Sequence, residues 1–92
     1  FYNHYARVTL QITTSHPDEV IQCLMKNYRH GLSRVDGIGG YSGRNISLLH
    51  SVVSGYEVEE MVGLMREQDP RVIVNVLRTE EFYGGFYLKL IE

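Results

Sequence analysis

Residues 5–13 alternate: Ala6, Val8, Leu10 and Ile12 fall on one side, Tyr5, Arg7, Thr9, Gln11 and Thr13 on the other. A period of two with one apolar side predicts a strand with one buried face. The period then lengthens. Thr14-Ser15-His16-Pro17-Asp18-Glu19 reads as a helix start, with Ser15 or His16 as N-cap, Pro17 in the first turn and two carboxylates that complement the helix dipole. Val20, Ile21, Leu24, Met25 and Tyr28 form one helical stripe, and Gly31 is the expected stop.

Residues 32–36 predict a short second strand and residues 45–54, rich in Ile, Leu and Val, a third. Between them lies Gly37-Ile38-Gly39-Gly40-Tyr41-Ser42-Gly43, with four of the nine glycines in seven residues. Ser54 with Glu57 three residues on is a capping box. Val58, Met61, Val62 and Met65 then repeat at the spacing of a core-facing helix, and Asp69-Pro70 ends it. Residues 72–77 predict a fourth strand, and residues 88–91 a short fifth after an aromatic, glycine-rich segment.

The order β-α-β-β-α-β predicts an α+β, ferredoxin-like fold: a four-stranded antiparallel sheet with two helices on one face, one domain over residues 1–92. Strands three and four carry apolar residues on both sides: Leu48 and Val52 against Leu49 and Val53, then Val72, Val74 and Val76 against Ile73 and Leu77. Two helices cover only one face. The other is therefore expected to self-associate or dock, as in a homo-oligomer, unless the aromatic C-terminal segment folds back over it.

Composition narrows the function classes. The chain has 92 residues, 43% hydrophobic and 22% charged, with a net charge of −2, so a broad nucleic-acid surface is not expected. One Cys forms no internal disulfide, which points to an intracellular setting. No apolar run approaches the roughly 18 residues of a membrane helix. The chain opens on Phe1 without an initiator Met, as a piece cut from a longer protein would.

No constellation for catalysis or metal binding emerges, so a non-enzymatic domain without cofactor is expected. His4, His16, His30 and His50 are scattered, with no pair at helical ligand spacing. His50, mid-strand among apolar residues, reads as a core or interface histidine, and Cys23 as a partly exposed thiol lacking an activating neighbour. Gly40-Tyr41-Ser42-Gly43 falls one residue short of a nucleophile elbow. Gly37-Ile38-Gly39 opens like a dinucleotide fingerprint, but Ser42 stands where its third Gly belongs and a strand follows.

The loop remains the candidate site. Glycines let backbone N–H groups approach a guest, and successive N–H groups form anion-binding nests. Arg34 and Arg44 flank it and are suited to a phosphate or carboxylate, and Tyr41 to stacking on a planar ring. The expected ligand residues are Arg34, Asp36, Gly37, Gly39, Gly40, Tyr41, Ser42, Gly43 and Arg44, and the ligand is small and anionic or nucleotide-like. A mobile hairpin whose glycines only permit a turn is the competing reading.

Asp36-Gly37-Ile38-Gly39-Gly40-Tyr41-Ser42-Gly43, the strand ending Val52-Val53-Ser54, Asp69-Pro70 and Gly85-Phe86 together resemble the C-terminal soluble domain of YitT-type bacterial membrane proteins. The resemblance covers about residues 6–86. It departs at Val72-Ile73, where that family tends to have Ala-Phe, and in the tail beyond Phe86. It implies an attached bundle of transmembrane helices, with this domain on the cytoplasmic face of the bacterial plasma membrane. It also implies a likeness to PII-like regulatory folds, in which the loop between strands two and three is the functional loop.

Overall fold

The computed structural model describes residues 6–81 and Tyr83. The elements run β1 (Arg7–Thr14), α1 (Pro17–Asn27), β2 (Ser33–Ile38), β3 (Asn45–Ser54), a 3-10 turn (Gly55–Glu57), α2 (Val58–Gln68) and β4 (Ile73–Arg78). The four strands form one antiparallel sheet in the order β2-β3-β1-β4. This is the ferredoxin-like arrangement that the element order predicts. The expected fifth strand over residues 88–91 lies outside the described residues, as does Gly85-Phe86.

Alternation along β1 decides which side meets the helices. Val8, Leu10 and Ile12 are essentially buried and pack with Leu49 and Val53 of β3, Val20 and Leu24 of α1, and Val58, Met61 and Met65 of α2. At roughly 1.5–3 kcal/mol for each fully buried large apolar side chain, this single layer is the main term holding the domain together. Met25, at the edge of the predicted stripe, is 45% exposed instead.

Cap chemistry sets the helix ends. His16 occupies the N-cap of α1, but its side chain makes no capping bond. Its backbone N–H instead donates to Thr14 Oγ1 at 2.9 Å. Gly31 does not stop the helix. The chain turns extended at Tyr28, three residues sooner, and the Tyr28 ring is buried there at 4% exposure. Asn27 Nδ2 donates to the Cys23 carbonyl at 2.8 Å and satisfies one of the terminal acceptors.

The Ser54–Glu57 capping box forms, with Ser54 N–H donating to Glu57 Oε1 at 3.1 Å. The same carboxylate oxygen bonds His30 Nε2 at 2.7 Å, and both side chains are buried. Tyr28 stacks on His30 with ring centroids 6.4 Å apart, and its hydroxyl donates to the Glu60 carboxylate. Burial first, and then that bond, push the Tyr28 phenol well above its ordinary range. This polar seam joins the segment before β2 to the start of α2.

Candidate functional site

The predicted loop closes the β2–β3 hairpin. Ile38 pairs with Asn45 as the last strand pair. Gly39 N–H then donates to the Arg44 carbonyl at 2.8 Å and Gly43 N–H to the Gly39 carbonyl at 2.9 Å. Arg44 N–H donates to Ser42 Oγ at 3.2 Å. These N–H groups serve the loop's own turn.

The glycines divide into two kinds. Gly43 has φ +70, a conformation that L side chains rarely adopt. At Gly39 an added Cβ would lie 2.9 Å from Ser42 Oγ. Gly37 and Gly40 have no such reason: neither has positive φ, and a Cβ at either would meet open space. A glycine inside a strand weakens it, and often marks a place where a ligand or another backbone comes close.

Arg34 and Asp36 point to the helix side of the edge strand β2. Arg34 Nη1 donates to Asp18 Oδ1 and its Nε to Asp36 Oδ1, each at 2.8 Å. Ser47 Oγ donates to the same Asp36 oxygen at 2.7 Å. The Ser47 hydroxyl first, and the guanidinium second, hold the Asp36 carboxyl below the usual carboxylate range, and these bonds to Asp36 and Asp18 raise Arg34 further. A cleft of about 280 Å³ lies here, lined by Ser15, Arg34, Asp36, Gly37, Asn45 and Ser47 among others. Tyr41 and Arg44 do not line it. They are exposed at the hairpin tip, and Tyr41 is fully solvated. The predicted residues thus fall into a cleft group and a projecting tip.

A second concavity was not visible in the sequence. It is a depression of about 310 Å³ on the sheet face away from the helices, lined by Gln11, Thr13, Ser33, Val35, His50 and Asn75 among others. His50 is exposed here and is not a core histidine. The period-two pattern marks Gln11 and Thr13 as outward-facing, but only the strand register brings them beside Ser33 and Asn75. Among the described residues, no three His, Cys, Asp or Glu side chains are grouped to hold a metal ion.

The hairpin and the following helix lie within residues 30–84, and these residues match the family model of an uncharacterized protein conserved in bacteria, DUF2179. The chain belongs to the DUF2179 family. This DUF2179 domain is also 21% identical over 85 residues to the UPF0750 membrane protein YitT of Bacillus subtilis, covering 92% of the chain but 30% of that relative. It therefore spans less than a third of a protein whose name places it in a membrane. No helix among the described residues is long and apolar enough to cross one.

Two solved structures share the fold of the DUF2179 domain. A functionally unknown protein from Pediococcus pentosaceus superposes with a TM-score of 0.73 at 10% identity, covering 90% of this chain and 100% of that one. A DUF2179 protein from Eubacterium ventriosum gives 0.63 at 14% identity over 76% and 96% of the two chains.

Proposed function

We propose that this DUF2179 domain is a non-enzymatic, PII-like regulatory module that senses a small anionic or nucleotide-like ligand through the Gly37–Gly43 hairpin. Its output passes to an attached transmembrane domain, which the match to a membrane protein supports, and the module itself sits on the cytoplasmic side. Gly37 and Gly40 carry the reading, because the fold itself asks for a side-chain-free backbone at neither position. Arg44 supplies exposed positive charge at the tip, and Tyr41 a free ring to stack on a planar guest. Arg34 is held by an Asp18 side chain that is 85% exposed. An ion pair so exposed to water is weak, so an incoming phosphate can compete with Asp18 for one edge of the guanidinium while Asp36 keeps the other.

Thermal melting in the presence of inorganic phosphate and a panel of nucleotides tests the proposal. One ligand is expected to stabilise the domain, by about 2.7 kcal/mol at a hundredfold excess over Kd, and Arg44→Ala to abolish the shift. A panel without any stabilising member, or a shift untouched by Arg44→Ala, overturns it.

The exposed apolar side chains on the open sheet face favour a second reading, that of a homo-oligomerisation or docking module. Val35 is 62% exposed, Ile73 57%, Leu48 49% and Leu77 45%. Sedimentation over a range of concentrations checks self-association.

A further inference from the structure

The open face has an internal order. Ser33, His50, Gln11 and Asn75 stand opposite one another across all four strands, and all four are exposed. The next row, Val35, Leu48, Thr13 and Ile73, is in register in the same way and apolar at three of its four places. Neither row contains Asp, Glu, Lys or Arg, in a chain where those make up 22% of residues.

Resting on the assembly reading above, we infer that this face packs against the same face of a second copy, about a two-fold axis that runs along the strands between β1 and β3. His50 then faces Gln11 of the second copy, Ser33 faces its Asn75, and Val35 faces its Ile73. The chemistry of the rows selects a copy over an unrelated protein. Hydroxyl, imidazole and carboxamide each donate and accept. A row of them met by its own reverse pairs donors with acceptors without any partner of opposite charge. A different protein is ordinarily steered and aligned by complementary charge, which these two rows do not offer; the charge on this side of β1 is Arg7, two rows away at the start of the strand. The face measures roughly 19 by 25 Å, from strand spacing and rise. That buries roughly 1,000 Å² in total, the lower end for specific complexes, so the dimer is a reversible one.

Two charge variants of the 92-residue chain test the arrangement by sedimentation, over about a hundredfold range of concentration. Gln11 and His50 are exposed in the single copy, so Gln11→Lys and His50→Glu should melt like the wild type. Each alone is expected to weaken self-association at least about tenfold, because it buries an unpaired charge in a neutral row. A one-to-one mixture of the two variants should recover it, since the introduced ammonium of one copy meets the introduced carboxylate of the other. Recovery supports the two-fold. A wild type that stays monomeric at every concentration overturns this inference and the homo-oligomer reading, and leaves docking onto another domain as the reading of this face. Association that neither variant weakens, or that the mixture does not restore, overturns the two-fold and leaves assembly standing through another surface. If a chain ending at Glu81 associates where the whole chain does not, residues 82–92 cover the face and the inference fails.

Discussion

The Thr14 hydroxyl donates to Asp69 Oδ2 at 2.6 Å, joining the last residue of β1 to the C-cap of α2, 55 residues away. Thr14 Oγ1 also accepts the His16 N–H at the start of α1, and Asp69 Oδ1 accepts the Arg71 N–H at 3.0 Å. One buried hydroxyl and one buried carboxylate thus tie the entry of one helix to the exit of the other. Thr14→Val keeps the shape and removes the donor. It should destabilise the domain by about 1–3 kcal/mol in urea unfolding, the usual cost of orphaning a buried acceptor.

The same carboxylate makes stability depend on pH. Burial alone would raise the Asp69 carboxyl, but the Thr14 hydroxyl and backbone N–H groups outweigh it and hold the group below the usual carboxylate range. A carboxyl lowered in the folded state contributes fully above its unfolded value, about 3.9, and the contribution is lost as pH falls through the lower folded value. Urea midpoints measured from about pH 5 down to pH 2 should therefore fall for the wild type. They should fall less steeply for Asp69→Asn, which has no proton to gain.

The glycines of the hairpin predict opposite signs. Gly43→Ala places a side chain at φ +70 and should cost about 1–2 kcal/mol. Gly37→Ala and Gly40→Ala meet open space and should be neutral or stabilising by up to about 1 kcal/mol, since they restrict the unfolded chain. If the loop binds a ligand, those two variants should lose binding while gaining stability, a combination that melting with and without ligand detects.

Glu57 offers a ranking. Its Oε1 serves both the Ser54 N–H and His30, while its Oε2 is buried with no hydrogen-bond partner. Glu57→Ala removes the cap and leaves His30 without this partner, at an expected cost of about 1–3 kcal/mol. Glu57→Gln keeps an acceptor for both and no longer buries a carboxylate. It should cost clearly less in the same denaturation experiment.

Leu10 and Leu48 separate the two faces of the sheet. Leu10 is buried and Leu48 is 49% exposed. Leu10→Ala should cost about 2–5 kcal/mol, whereas Leu48→Ala in dilute, monomeric protein should change stability by less than about 1 kcal/mol. A larger effect of Leu48→Ala at high protein concentration than at low would report its burial between copies.

Much of the fold was legible because the signals were local. Alternation in β1, the stripe Val58-Met61-Met65, the Ser54–Glu57 box and Asp69-Pro70 each occupy a short window, and each became the expected element. Local signals mislead where a contact beyond their window decides the structure. Gly31 reads as a helix stop, but α1 ends at Asn27 and the chain turns extended at a buried Tyr28. His30 carried no local mark of the buried bond it makes to a residue 27 positions away.

The candidate site shows the same division. That a glycine-rich hairpin projects between two strands, with arginines near it, follows from residues close together in the chain. That Arg34 turns to Asp18 and Asp36 while Arg44 stays at the tip depends on which side of the edge strand β2 Arg34 occupies, on where α1 begins, and on Arg44 preceding β3 in the loop. The row Ser33–His50–Gln11–Asn75 was beyond any sequence reading. Alternation tells which side of its own strand a residue faces, but register, set by packing of the whole sheet, decides which residues of four separate strands become neighbours.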